Sequence, residues 1–388
     1  MNGSNAKRLP EFPSWIYPGV TFDPHRNSLN LLRLVFAITV IASHATYLGG
    51  YMQEPTWAGV TPGRWAVIGF FIISGYLITG SRNAHRFGSF IVHRMARIYP
   101  GFVVNLLVTV LVFAPLGFYL AHGNLNGYLT TGTQPVQYVV GNIFLKMRSW
   151  DVAGTPVGVP YAGWWNGPLW TIFFEFCCYV IVGLLLCLPA ARRRQQFVIP
   201  AMFAMSVVLQ WQAGSVVAWV QNVWPDAAND VSLLMQLLPS FLAGATIYQF
   251  RHRIRLSLLG AIACAVVSVV GIVALPSWGP QLVSPLLGYI VFWVASVLPM
   301  PKVLRTQDIS YGMYIYGFLV QQTLVLLGVN QAGLPLFLVA SVTFTVPLAI
   351  ASWVAIERPI LSLVRKHPIT WQPSNRPLLV PGFVKVSS

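Results

Sequence analysis

From Ser28 onward the sequence is a succession of apolar windows about as long as a bilayer crossing, joined by short charged or Gly/Pro-rich links. Backbone surrounded by lipid must satisfy its own hydrogen bonds, and windows of this length do so as helices. Taken with their flanking charges, they predict crossings at 28–48, 65–80, 98–121, 169–189, 197–213, 231–250, 256–275, 282–299, 309–329 and 336–356. Lys and Arg concentrate on the cytoplasmic side of membrane proteins, and in this frame all of them except Arg33, Arg64, Lys146 and Arg148 fall on one side. The expected fold is therefore all-α: a polytopic membrane protein of about ten transmembrane helices with both termini cytoplasmic.

Composition supports that class and removes others. The chain is 56% hydrophobic and only 9% charged, against roughly 25% charged in soluble domains. A net charge of +15 would suit nucleic acid, but basic residues spread between apolar spans follow the membrane rule instead, so no nucleic-acid partner is expected. The N-terminus has no apolar run ending in a small-residue cleavage site, which makes the first span its own insertion signal. Cys177, Cys178, Cys187 and Cys264 lie in apolar segments without ligand spacing, which predicts free thiols and no metal. Residues 1–27 are expected to form a cytoplasmic segment, 28–366 the membrane-embedded domain, and 367–388 a Pro-rich cytoplasmic tail too short to fold alone. Gln137 to Pro168, too short to cross and rich in Gly, Pro and Trp, is expected to form an outer-face lid.

Ionisable groups inside apolar windows are costly and normally face a bundle interior, so they are the first functional candidates. The segment Ser28 to Gly50 carries Arg33 and His44. Eleven helical residues separate them by roughly 16 Å along the axis and roughly 20° around it, so both project from one face. Arg33 can also snorkel to the interface and His44 can donate to a carbonyl. Glu175 is the acidic residue set deepest in a span, at a depth similar to His44. A His–carboxylate pair would fix the imidazole tautomer and let the other nitrogen take a proton from a hydroxyl; the alternative is an interhelical salt bridge. Arg94 and Arg97, one helical turn apart in HRMAR, can grip one phosphate or, as arginines collected in a cytoplasmic loop, attract anionic lipid headgroups; Arg33, entering from the same side, favours a converging anion site. Ser74 and Gly75 more simply indicate close helix packing, and Tyr311, Tyr314 and Tyr316 interfacial anchoring.

Together these segments resemble the acyltransferase-3 family, bacterial integral membrane O-acyltransferases acting on exported carbohydrates and other hydroxyl compounds. The resemblance rests on Arg33 with His44, FFIISGYL from Phe70, HRMARIYP from His93, PLWTIFFEFCCY from Pro168, DISYGMYIY from Asp308 and IERP from Ile356. It implies a multi-pass protein of the bacterial inner membrane that moves an acyl group, acetyl foremost, from acyl-CoA on the cytoplasmic side to a carbohydrate or glycolipid acceptor. Its surroundings would be membrane lipids and polysaccharide biosynthesis machinery. His44 would carry the proton chemistry with Glu175 in support. Arg33, Arg94 and Arg97, with Ser74 and Tyr76, would hold the coenzyme, and Trp170, Tyr311 and Tyr314 would meet the acceptor. The chain departs from the family where Gly317 stands in place of the histidine that closes Ser-Tyr-x-x-Tyr-x-x-His, and where His93 and Arg94 replace paired arginines. A rival reading is a proton-coupled transporter or flippase of lipid-linked sugars, with Arg33, His44 and Glu175 as the relay. A third is an inactive relative that binds carbohydrate precursors.

Overall fold

The computed structural model describes Ile16 and residues 19–366; the tail expected at 367–388 and most of the N-terminal segment lie outside the described residues. The architecture is helical throughout, with no strand among the described residues. The helices used below are α1 (Leu29–Leu48), α2 (Pro62–Ala84), α3 (Phe87–His122), α4 (Pro135–Asn142), α5 (Gly167–Leu185), α6 (Gln195–Trp211), α7 (Ala213–Val223), α8 (Pro225–Phe250), α9 (Leu258–Ala274), α10 (Ser284–Val297), α11 (Ser310–Leu326) and α12 (Leu334–Val364). Six of them, α1, α2, α3, α5, α8 and α12, are long and apolar enough to cross a membrane. α6 and α7 together also pass that test but meet at a 79° bend, while α9 and α10 are shorter apolar helices.

The helices outrun the hydropathy windows at their polar ends. α3 starts at Phe87, so the basic HRMAR motif is part of the helix rather than a loop before it. α8 likewise starts at Pro225, which places Asp226 and Asp230 on its first turns instead of in a connection. Local chemistry sets such ends: α2 opens with Pro62 in its first turn and with Thr61 Oγ1 accepting from the Arg64 backbone N–H at 3.3 Å.

α1 packs against α2, α11 and α12, and α2 crosses α8 closely. The α2–α8 crossing is reciprocal: a Cβ on Gly75 would lie 1.8 Å from the Phe241 carbonyl oxygen, and one on Gly244 would lie 1.9 Å from that of Ile72. Only glycine allows this approach, as the small-residue reading of Gly75 anticipated. Gly317 does the same for α1 and α11, where a Cβ would meet Ile41 Cγ1 at 2.6 Å. A histidine at 317 would thus collide with α1.

The Gln137 to Pro168 segment is packed into the bundle. After α4 it runs as a loop whose Leu145, Val152 and Trp165 are buried in the main core. Gln322 of α11 holds it by donating from Nε2 to the Tyr161 and Trp164 carbonyls at 2.6 and 2.8 Å.

Candidate functional site

Six helices, α1, α2, α3, α5, α11 and α12, bring side chains together between the two ends of α1. At the Arg33 end the charges are arranged as a chain. Asp308, on the link before α11, accepts from Arg33 Nη1 at 2.5 Å and from Arg97 Nη2 at 2.6 Å. Arg97 Nη1 also donates to Glu357 Oε2 of α12 at 2.9 Å, and Ser352 Oγ donates to the other Glu357 oxygen at 3.1 Å. Burial works to raise the Asp308 carboxyl, but Arg33 and Arg97, with Ser310, bring it down to about 2. Arg94 differs from the other two arginines in having no ion pair among the described residues, and its Nε is buried without a hydrogen-bond partner. Its guanidinium is therefore the one best able to take a further anion.

Glu175 sits on α5, facing the same region. It accepts from Ser74 Oγ and from Tyr179 OH, both at 2.5 Å, and makes no hydrogen bond to His44. The expected His44–Glu175 pair is not formed, because similar depth on two helices does not make them neighbours. Ser74 serves here as the carboxylate's partner. Arg33, Glu175, Tyr311 and Tyr314 line a narrow cavity of about 40 Å³.

His44 lines a second cavity, of about 140 Å³, with Arg64, Trp170, Thr171 and Tyr314. Its ring is held edge-on by Tyr47 at 5.7 Å and Phe318 at 5.5 Å, and the imidazole makes no hydrogen bond to a described residue. Both imidazole nitrogens thus remain available to a ligand. The two cavities share Val67, Thr171 and Tyr314 in their walls. At that partition the Thr171 and Tyr314 hydroxyls are 2.6 Å apart, and both reach the Pro168 carbonyl. The one-face reading of α1 accordingly puts Arg33 and His44 on adjoining cavities.

Other candidates fall differently. Trp170, Tyr311 and Tyr314 line these cavities, but Tyr76 does not. It packs against Phe292 at 4.6 Å, Tyr248 at 5.3 Å and Phe22 at 5.5 Å, and it lines a separate cavity with His25, Arg26 and Arg305. Tyr76 stands two residues from Ser74 on α2, about 200° around the helix, so its side chain leaves the bundle face that Ser74 shares with Glu175.

Sequence reasoning missed three groups. Asp308 and Glu357 flank the predicted spans 309–329 and 336–356, where an acid reads as interfacial, yet Glu357 is fully buried; their place inside DISYGMYIY and IERP is the available signal. Arg64 was counted only as an exception to the charge rule. It lies in the first turn of α2 beside His44, with Nη2 buried and unpartnered.

A helical, multi-pass membrane protein with an arginine–carboxylate chain at one end of its first helix and a free, half-enclosed imidazole near the other defines the class. Residues 26–354 match the family described as acyltransferase domain, and the chain belongs to that acyltransferase-3 family. It is 28% identical over 374 residues to "Nodulation protein 10" of Rhizobium leguminosarum bv. viciae, covering 87% of this chain and 94% of that protein. It is also 28% identical over 351 residues to an "O-acetyl transferase" of Shigella phage Sf6, covering 87% of this chain and 96% of that one. No solved structure matches.

Proposed function

We propose that this protein is an O-acyltransferase of the bacterial inner membrane, with ten spans and both ends cytoplasmic, that moves an acetyl group from acetyl-CoA to a hydroxyl of a carbohydrate or glycolipid in envelope polysaccharide synthesis. Family membership and the phage O-acetyl transferase support the reaction class. The observation that carries the mechanism is the pair of adjoining cavities, one lined by Arg33 and Glu175 and the other by His44, that share Thr171 and Tyr314.

In this reading the coenzyme phosphates meet Arg94 first, since Arg33 and Arg97 already share Asp308 and Arg97 also pairs with Glu357. Glu175 orients Ser74 and Tyr179 along the acyl-pantetheine arm and does not touch the base. The thioester passes the Thr171–Tyr314 partition to reach His44. A free imidazole nitrogen removes the acceptor hydroxyl proton as oxygen bonds to the carbonyl carbon. The C–S bond then breaks, and the imidazolium returns its proton to the departing thiolate. General-base help of this kind contributes typically ~10²–10⁴ in rate. Arg64, with an N–H buried and unpaired in the same cavity, is available to the developing oxyanion.

The test is His44→Ala, assayed as acetyl incorporation into surface glycan by a strain lacking the native gene. Activity is expected to vanish while the protein still inserts to wild-type level. A fully active variant would rule this site out, and proton-coupled sugar transport without use of acetyl-CoA would favour the transporter reading.

A further inference from the structure

Outside the His44 cavity, the loop that α11 holds in place lines a groove of about 390 Å³ with aromatic and polar side chains. In its lining Trp150 and Trp164 stack with ring centres 4.0 Å apart and planes 22° apart, with Tyr161 5.6 Å from Trp164. The lining also holds Asn229 and the ion pair Lys146–Asp230, beside Met147, Phe173, Phe174 and Leu233. Trp170 belongs to this groove and to the His44 cavity alike, so the two spaces meet at one indole.

Tryptophans near a membrane surface usually serve as interfacial anchors presented singly to lipid headgroups. Trp150 and Trp164 are half-buried, stacked on each other, and line a groove that also holds the Lys146–Asp230 ion pair. Their backbones are also fixed. The Trp165 N–H donates to the Trp150 carbonyl at 2.9 Å, and Gln322 holds the Trp164 carbonyl, so the indoles form a pre-set platform that costs little ordering on binding. A ligand that uses both the stacked indoles and the polar groups needs a flat apolar face and a rim of hydroxyls. A pyranose ring has that shape, with its C–H face on the outer face of one stacked indole and its hydroxyls reaching Asn229 and Asp230. An acyl chain would leave Asn229 and the Lys146–Asp230 pair unused.

We propose that this groove is the acceptor subsite, which seats a pyranose on the Trp150–Trp164 platform and leads the acylated hydroxyl past Trp170 to His44. The inference rests on the acyl-transfer reading for its direction but not for its ligand. It is tested with the full-length protein in nanodiscs, probed with an array of bacterial surface polysaccharides and their pyranose oligosaccharides. Wild type and His44→Ala are expected to bind the same saccharides. Trp150→Ala and Trp164→Ala should lose at least tenfold in affinity at unchanged melting temperature, and Trp150→Phe should keep part of it. Saccharide binding unchanged in both alanine variants, or no saccharide bound by wild type at millimolar concentration, overturns the subsite. So does a loss of retained phospholipid in place of saccharide. If His44→Ala remains active while the tryptophan variants lose saccharide binding, the catalytic reading fails and the subsite stands.

Discussion

Asp308→Asn removes the carboxylate that joins Arg33 of α1 to Arg97 of α3. The group lies on the link before α11, and its side chain is only 14% exposed, so solvent screens little of the interaction. At about 1.4 kcal/mol per pH unit, the drop from an ordinary carboxylate value of about 3.9 to about 2 corresponds to about 2–3 kcal/mol of native-state stability. Because the folded-state pKa is lowered, that contribution is complete above the unfolded value and is lost as pH falls through about 4 toward 2. Asparagine keeps the shape but leaves two guanidiniums to repel each other, so the substitution should cost at least this much. Thermal unfolding in detergent should show a melting temperature lower by roughly 5 °C. The gap should be constant between pH 8 and pH 5. Arg33→Gln made in the Asp308→Asn background should cost less than it does in wild type, since the pair is already broken. An Asp308→Asn protein as stable as wild type at pH 7, or single losses that simply add in the double variant, would refute the bridging role.

Arg64→Gln should lower kcat by about 10²–10³ with the donor KM unchanged, as for loss of an oxyanion donor; steady-state kinetics with wild-type activity would remove Arg64 from the reaction. Gly75→Ala sets a methyl 1.8 Å from the Phe241 carbonyl oxygen. Because the obstacle is backbone, it should cost about 3 kcal/mol or more, the upper end of overpacking penalties, seen as a lower melting temperature. Wild-type stability would mean that α2 and α8 part more easily than the packing suggests.

Much of this protein is written in local sequence. Apolar windows define helices because backbone in lipid has few other ways to satisfy its hydrogen bonds, and helical periodicity alone sets Arg33 and His44 on one face of α1. Gly75 carries its meaning in sequence too, since a glycine amid bulky apolar residues marks a close crossing. Which helix stands beside which is not local information. Apolar spans are alike in hydropathy, so depth along each span suggested a His44–Glu175 pair, whereas the bundle gives Glu175 to Ser74 and Tyr179.

The same limit hid Asp308, which reaches Arg33 across 275 residues. It also hid Glu357 beneath Arg97, Arg64 beside the imidazole, and the Trp150–Trp164 platform. Tyr76 shows the converse, a motif residue that tertiary packing turns into an aromatic cluster on another face. The sequence by itself determined the solvent, the helices and the face from which α1 presents its charges, because those follow from hydration and the 3.6-residue turn. Only the tertiary structure decided which charges meet and where the cavities adjoin, because that depends on how surfaces from distant helices fit together.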